Sequence, residues 1–281
     1  MQGTGKDRDT KDQFYTKRAI AETCVKGILD TLPWAATALW IEPSAGAGAF
    51  MGIYRGEIVA LDLEPKAAGV AAQDFLTWTA PLTTKPMLFF GNPPFGRQGS
   101  IAKKFLRHAC EQGADALAFI LPRSFMKPSM YGCIPPSFHL VKQLELPKNS
   151  FEVNKEPYDV PCIFQIWEKR DDNREVAEKE DPDGFVYVKT EAYDMAFRRV
   201  GGDAGKSFLR GEIQPSSQSH HFLKFDEGIN VVDIQKRVNL HIFPSNTTGP
   251  RSLSKSEINV VLNKIIHASL DAELAALTQE S

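Results

Sequence analysis

The first 170 residues of this 281-residue chain predict an α/β fold, with a mostly parallel sheet and helices on both of its faces. Short apolar runs alternate there with helical patterns, and this alternation is typical of a parallel sheet. Several runs contain no polar residue that could face solvent, as expected for strands covered on both sides. From residue 184 onward, short β-rich pieces broken by Gly, Pro, Ser and Asn predict a smaller β-rich C-terminal region.

The individual elements follow from the spacing of apolar residues. Six runs predict strands at residues 37–41, 58–63, 87–91, 116–121, 140–146 and 162–167. Helical spacing predicts helices at residues 17–32, 66–72, 100–111 and 255–277. In the C-terminal region the pieces FVYV, HHFLKF, INVVDI and NLHIF predict further strands.

A highly charged segment separates the two regions. Twelve of the sixteen residues from Glu168 to Asp183 are charged, and a segment with so little to bury is typical of a solvated linker or exposed loop. We therefore predict an N-terminal domain over residues 12–170, a linker over 171–183 and a C-terminal region over 184–281.

Composition narrows the class of protein. The net charge of −2 and the pI near 6.3 are not those of a strongly basic nucleic-acid binder, although a local basic groove is compatible with them. The four cysteines show no Cys-x-x-Cys pairing, and His220 and His221 would face opposite sides of a strand, so we expect no metal site. No apolar run approaches about 20 residues, and the N-terminus does not have the pattern of a secretory signal. We therefore expect a soluble intracellular protein, which would be cytoplasmic if it is prokaryotic or phage-encoded.

A glycine-rich turn follows the first predicted strand, in the sequence WIEPSAGAGAF from Trp40 to Phe50. Glycines let the backbone approach a ligand closely, and we expect a helix to begin here with its N–H groups facing the same space. The turn lacks the Lys-Ser or Lys-Thr of a P-loop. Its next glycine, Gly52, comes one position too late for a dinucleotide-binding motif.

Acidic residues follow at the ends of later elements. Asp62 ends the second predicted strand, where an acid can accept both ribose hydroxyls of a nucleoside, with Glu64 as the less favoured choice. The pair Asp74 and Phe75 offers a carboxylate to an adenine amino group and a ring to pack against the base. Each is also compatible with a plain surface or core role.

The most specific segment is Asn92-Pro93-Pro94-Phe95, directly after a buried strand. The two prolines fix the backbone angle φ at both positions, and neither has an N–H group to donate. The Asn92 side-chain oxygen and a nearby backbone carbonyl can then accept hydrogen bonds from an amino group. Phe95 supplies a ring on which a planar base can stack.

These segments, in this order, resemble the class I methyltransferases that depend on S-adenosylmethionine and methylate amino groups, in particular the N6 of adenine in DNA. The resemblance covers about residues 13–170 and includes Asp12 to Lys17, although many relatives have proline where this chain has Lys17. It implies a Rossmann-like sheet and these contacts with S-adenosylmethionine: Tyr15, Thr16, Glu42, Pro43, Ala45, Gly46, Gly48, Phe50, Asp62, Asp74, Phe75 and Asn92. It implies these catalytic residues: Asn92, Pro93, Pro94 and Phe95.

The resemblance implies DNA as the partner, with RNA as the alternative, and no membrane or metal. Phe95 would stack on the target base, while Arg97, Lys103 and Lys104 would hold phosphates or form a solvated helix face. From its position alone, the region 184–281 would recognise the target.

Three other functions remain open at the level of sequence. The Asn-Pro-Pro-aromatic motif also serves methyltransferases of RNA adenine and of the N5 of protein glutamine. A non-catalytic subunit could also keep the fold, although such proteins usually lose the glycines or the amino-group motif.

Overall fold

The structure, a computed structural model, describes residues 14–153, 156–176, 180–189, 192–244 and 250–279, with side chains up to residue 271. The chain divides into two compact units, residues 1–176 and 177–281. Among the described residues, no helix is both long enough and apolar enough to cross a membrane.

The first unit contains ten strands and two α-helices within its described residues. The strands are β1 (Tyr15–Thr16), β2 (Leu39–Glu42), β3 (Ile58–Asp62), β4 (Ala71–Ala72), β5 (Met87–Gly91), β6 (Ala116–Pro122), β7 (Phe138–Glu145), β8 (Phe151–Val153), β9 (Glu156–Tyr158) and β10 (Cys162–Lys169). The helices are α1 (Arg18–Thr31) and α2 (Ser100–Glu111). All six predicted strands of this unit are confirmed, and each of their ends agrees to within two residues.

Seven of these strands form one sheet in the order β4-β3-β2-β5-β6-β10-β7. Along the sheet from β4 to β6, each strand pairs in parallel with the next one. Strand β10 runs antiparallel to both of its neighbours, β6 and β7. The order reverses beside β2, which places a crevice at the carboxyl ends of β2 and β5, where ligands bind in open α/β sheets. The predicted Rossmann-like, mostly parallel sheet is therefore confirmed.

One α-helix covers each face of the sheet. Alternate residues of a strand face opposite sides, so in β5 Leu88 and Phe90 pack with α1 whereas Phe89 packs with α2. On α1 the buried residues include Ala21 and Ile28, which lie on one face of the helix. The expectation of helices on both faces is confirmed.

A second, three-stranded sheet lies in the same unit, in the antiparallel order β1-β8-β9. Thr16 pairs with Phe151, and Phe151 pairs with Tyr158. These strands have only two or three residues each, and the sequence pattern did not predict them.

The second unit joins a four-stranded antiparallel sheet to two helices. Its strands are β11 (Phe185–Val188), β12 (Met195–Arg198), β13 (Ser207–Leu209) and β14 (His220–Phe225), in the order β11-β14-β12-β13, and its helices are α3 (Val231–Leu240) and α4 (Lys255–Gln279). Its core joins Phe197 and Leu223 of the sheet to Ile234 of α3 and Leu262 of α4. The smaller β-rich C-terminal region is therefore confirmed.

Three predicted elements are wrong. Residues 66–72 form no helix, because Gly69 has φ +83° and β4 pairs with β3 instead. The piece INVVDI is the start of α3, where the Asn230 side chain accepts a hydrogen bond from the N–H of Asp233 at 3.1 Å and caps the helix. The piece NLHIF continues from the end of α3 and forms no strand.

The charged segment is not solvated throughout. The Arg174 guanidinium donates to the carbonyl oxygens of Phe138 at 2.7 Å and Ile134 at 3.0 Å, and it lies over the Trp167 ring at 5.4 Å. This arginine therefore belongs to the packing of the first unit.

Candidate active site

A cavity of about 450 Å³ opens at the carboxyl ends of β2, β3 and β5. A volume of this size is typical of a small-molecule site. Eleven of the twelve residues that the sequence assigns to the cofactor line it: Tyr15, Thr16, Glu42, Pro43, Ala45, Gly46, Phe50, Asp62, Asp74, Phe75 and Asn92. The segments around residues 15, 42–50, 62, 74 and 92 thus lie together around one space.

The glycine-rich turn after β2 forms part of the cavity wall. Gly46 and Gly48 have φ values of +51° and +77°, which favour glycine. A Cβ at Gly48 would lie 2.9 Å from the Cβ of Ala67, so Gly48 is needed for packing and does not line the cavity. No regular helix begins here, contrary to the sequence-based expectation, because successive turns bond Gly48 to Ala45 and Met51 to Gly48.

Asp62 at the end of β3 fixes the turn. Its Oδ2 accepts a hydrogen bond from the Gly46 N–H at 2.7 Å, and its Oδ1 accepts one from the Glu64 N–H at 2.8 Å. Each carboxylate oxygen can accept more than one hydrogen bond, so Asp62 can still receive two hydroxyl groups from a ligand.

Glu42 ends β2 and is almost completely buried at the floor of the cavity. Its Oε2 has no hydrogen-bond partner among the described residues. Burial, and to a lesser extent the charge of Asp62, raises the pKa of Glu42 to about 8. A Cβ at Gly91 would lie 3.2 Å from the Glu42 Cγ, so a glycine in β5 makes room for this carboxyl group. A buried carboxyl without a partner is well suited to receive a cationic group.

Asp74 and Phe75 form the far side of the cavity. The Asp74 Oδ1 accepts a hydrogen bond from the Leu76 N–H at 2.9 Å and caps the 3₁₀ helix Phe75–Thr77. Phe75 is buried and packs against Phe105 of α2, with ring centroids 5.1 Å apart. The cap therefore fixes a carboxylate beside an apolar wall.

The Asn92 side chain is held by one end only. Its Nδ2 donates to the Phe14 carbonyl oxygen at 3.3 Å and to the Thr16 Oγ1 at 3.2 Å. Its Oδ1 is buried and has no partner among the described residues. The Ser44 hydroxyl donates to the Asn92 carbonyl oxygen at 3.0 Å, which ties the motif to the turn after β2. A fixed, buried acceptor without a donor therefore belongs to a residue that lines the cavity, and an unmet buried acceptor costs about 1–3 kcal/mol.

The N-terminal segment forms a further part of the cavity wall. Tyr15 and Thr16 line the cavity in β1, and the Lys66 ammonium contacts both the hydroxyl and the ring of Tyr15. Lys17 lies next to the cavity segment and donates its N–H to the Ser150 carbonyl oxygen at 3.1 Å. Asp12 and Gln13 lie outside the described residues.

Several assigned residues do not line the cavity. Pro93 is buried behind it, while Pro94 lines it. Phe95 is only 7% exposed, because its carbonyl accepts the first N–H groups of α2, from Ile101 and Ala102, and its ring joins the core on the α1 face. The proposed phosphate contacts, Arg97, Lys103 and Lys104, lie outside the cavity lining.

Other cavity residues were missed by the sequence analysis. They are Phe14, Ser44, Ala47, Ala49, Leu63, Gln73, Leu76, Ile101 and Phe105, while Glu64, the less favoured choice for the ribose-binding acid, also lines the cavity. Most are neighbours of assigned residues. Ile101 and Phe105 are four positions apart on α2, so helical spacing places them on one face, and this signal was available in the sequence.

No protein-family model matches the sequence, and no curated relative is found. Among solved structures, a protein from Pyrococcus horikoshii provisionally assigned as an RNA methyltransferase is 16% identical, with a TM-score of 0.47, over 60% of this chain and 93% of that one. The N-methyltransferase NodS from Bradyrhizobium japonicum, in complex with S-adenosyl-L-homocysteine, is 14% identical, with a TM-score of 0.38, over 53% and 86% of the two chains.

Proposed function

We propose that this chain is an S-adenosylmethionine-dependent methyltransferase that methylates the N6 amino group of adenine in DNA. The observation that carries the proposal is the Asn92 side chain, whose nitrogen is held by Phe14 and Thr16 while its buried oxygen has no partner. An amino group is the donor that this oxygen lacks.

The same arrangement supports a chemical role for the motif. When bound, S-adenosylmethionine supplies a methyl group already activated by its positive sulfur. Asn92 Oδ1 would orient the amino nitrogen toward that methyl group and stabilise the positive charge that develops on nitrogen. Because neither Pro93 nor Pro94 has an N–H group, no backbone donor at these positions competes for the oxygen.

The cavity residues fit the cofactor by their chemistry. Asp62 would accept the ribose hydroxyls, and the carboxylate of Asp74 with the wall at Phe75 would hold the adenine. The buried, unpartnered carboxyl of Glu42 would receive the ammonium group of the methionine end. Gly46 lines the cavity with φ +51°, a backbone conformation that favours glycine, and without a Cβ its backbone can approach the ligand closely.

Adenine is favoured as substrate because aromatic rings cluster beside Asn92. Phe14, which lines the cavity, has the rings of Phe95 and Phe151 within 6.3 Å. Such a setting suits a flat base better than the flexible side chain of glutamine. DNA is preferred over RNA because of the N-terminal segment and the C-terminal region that the sequence resemblance singled out.

The test is transfer of a labelled methyl group from S-adenosylmethionine to unmethylated DNA, to unmodified RNA and to a protein extract, each in a separate reaction. We expect label in DNA, and a loss of at least a hundredfold in rate for Asn92→Ala. Asn92→Asp retains the acceptor but replaces the Nδ2 donor with an oxygen beside the Phe14 carbonyl, so it should keep only part of the activity. Label in RNA or protein alone would retain the chemistry and refute the substrate. Absence of label in all three would refute the proposed activity.

A further inference from the structure

A short loop directly after the Asn-Pro-Pro-Phe motif connects two parts of the cavity wall. Pro94, before the loop, and Ile101, after it, both line the cavity. Between them lie residues 96–99, with the sequence Gly-Arg-Gln-Gly, which we call the GRQG loop. The Phe95 carbonyl oxygen accepts a hydrogen bond from the Ile101 N–H at 3.1 Å and closes the loop at its base. The GRQG loop therefore starts and ends beside the cavity.

The loop is folded tightly and packed on two sides. The Gly99 N–H donates to the Gly96 carbonyl oxygen at 3.2 Å, and the two glycines have φ values of +72° and +67°. A Cβ at Gly96 would lie 2.5 Å from the Ile101 Cγ1, and one at Gly99 would lie 2.8 Å from the Phe125 Cε2. The glycines therefore allow the loop to pack closely against the cavity wall and Phe125.

Gln98 lies in the loop with a backbone conformation that glutamine rarely adopts. Its φ of +55° and ψ of +30° are left-handed. Among the described residues, Asn149 is the only other non-glycine residue with a positive φ, and the short side chain of asparagine tolerates this conformation. Glycine would be less strained at position 98. Strained residues cluster at functional sites, so a long polar side chain at this place points to a role beyond folding.

The Gln98 side chain is available to a ligand outside the cavity. It is exposed, and it makes no hydrogen bond within the described part of the chain. Its amide group presents an acceptor oxygen beside an NH2 donor. The edge of adenine that pairs with thymine presents the same two groups, the acceptor N1 and the N6 amino donor. A glutamine amide can therefore hydrogen-bond to a thymine that has lost its adenine.

Methylation of N6 in double-stranded DNA creates such a thymine. The paired adenine has to leave the base stack before it can enter a cavity. Its departure leaves a gap in the stack and an unpaired thymine on the opposite strand. Gln98 is exposed on the loop that borders the cavity, so its side chain is close to the place that the adenine leaves.

We propose that Gln98 enters the DNA duplex in place of the adenine and hydrogen-bonds to the unpaired thymine. The proposal rests on the proposed function and deepens it, because it names double-stranded DNA as the form of the substrate. Gln98 is then a substrate-binding residue that stabilises the DNA with its adenine outside the stack. The strained backbone holds the side chain outward before DNA binds.

The first experiment compares unmethylated double-stranded DNA with the same DNA after heat denaturation. KM and kcat are measured for the wild type, Gln98→Gly and Gln98→Met. We expect Gln98→Gly to raise KM for the duplex about tenfold, which corresponds to about 1.4 kcal/mol. KM for single strands should not change, because no partner base is left behind there. Gln98→Met fills the gap without hydrogen bonds, so its KM for the duplex should rise less, about threefold.

Asn149→Gly is the matched control. Asn149 is also exposed with a positive φ, of +59°, but it does not line the cavity or belong to the GRQG loop. Its variant should leave KM unchanged for both forms of DNA. Glycine suits the backbone at both positions, so neither variant should lower the melting temperature. An equal rise of KM for both forms of DNA in Gln98→Gly, or no rise, would overturn the proposal.

A second readout does not depend on methyl transfer or on activity toward single strands. Permanganate oxidises unstacked thymines, and sequencing locates the oxidised positions in duplex DNA bound in the presence of S-adenosylhomocysteine. We expect specific thymines to react more strongly in the Gln98→Gly complex than in the wild-type complex, because the gap is then empty. That result supports the role of Gln98 even if no methyl group is transferred. The same reactivity in both complexes would overturn it even if methylation of DNA is observed.

Discussion

The Thr16 hydroxyl accepts a hydrogen bond at 3.2 Å from the side-chain amide nitrogen of Asn92, which lies 76 residues further along the chain. Thr16 is buried in β1, and Asn92 directly follows β5. The Phe14 carbonyl oxygen accepts from the same amide nitrogen at 3.3 Å and can only accept, so a rotated amide would bring two acceptors together there. The N-terminal segment therefore orients the Asn92 amide as well as lining the cavity.

The first prediction concerns this hydrogen bond. Thr16→Val keeps the shape of the side chain and removes the acceptor, whereas Thr16→Ser keeps the hydroxyl. Since a hydrogen bond of this kind contributes about 0.5–1.5 kcal/mol, we expect kcat to fall up to about tenfold in Thr16→Val. Steady-state kinetics of both variants check this, and an equal fall in Thr16→Ser would show that the hydroxyl has no orienting role.

The second prediction concerns the proton on Glu42. Because burial raises the pKa of Glu42 to about 8, this carboxyl is mostly protonated at pH 7 in the free protein. A ligand ammonium beside it would favour the charged form, so binding should release about one proton at pH 7. Calorimetry of S-adenosylhomocysteine binding in two buffers of different ionisation enthalpy measures that proton, and Glu42→Gln should bind without releasing it. A wild-type protein that releases none would contradict the placement of the ammonium group.

The third prediction follows from the same group in the absence of ligand. A carboxyl whose pKa is raised on folding favours the folded state fully below its unfolded pKa of about 4.5, and this contribution is lost as the pH rises through about 8. The free energy of unfolding of the wild type should therefore fall between pH 5 and pH 9 more than that of Glu42→Gln. Denaturant unfolding at both pH values checks the difference, and parallel pH profiles would count against a buried, proton-binding Glu42.

The fourth prediction separates two ways in which an added side chain destabilises the glycine turn, namely backbone strain and a steric clash. Gly48 and Gly52 have similar positive φ values, +77° and +72°, but a Cβ meets Ala67 only at Gly48. Left-handed backbone costs a non-glycine residue about 1–2 kcal/mol, so Gly52→Ala should lose about that much stability. Gly48→Ala should lose more and should also weaken cofactor binding. Thermal unfolding and cofactor titration compare the two, and Ala67→Gly should partly rescue Gly48→Ala; equal losses at both glycines would exclude the clash.

The sheet and most of the cavity could be predicted because their signals are local. Buried strands such as β5 and β6 are continuous apolar runs, and the turn after β2, Asp62 and Asn92 all follow such runs. In a parallel sheet the carboxyl ends of the strands lie at one edge. Residues that follow different strands are therefore expected to lie close together, even when they are far apart in the chain. The cavity residues assigned from sequence owe their convergence to this rule.

The failures have physical reasons as well. Three β-branched residues among positions 231–234 favoured a strand, whereas the Asn230 cap and the spacing of Ile234 and Val238 along one helix face determine α3. The burial of Phe95 depends on the tertiary packing of α2 and Phe14, which no local pattern contains. The two-residue strand β1 is defined by its pairing with β8 and has too few residues for a period of its own.

The most direct test of the central claim is the identity of the methylated nucleoside. DNA treated with the protein and S-adenosylmethionine is digested to nucleosides and analysed by mass, with RNA in parallel and Asn92→Ala as the control. The account predicts N6-methyladenine from DNA, absent with Asn92→Ala. A different methylated nucleoside, or N6-methyladenine formed equally well by Asn92→Ala, would contradict it.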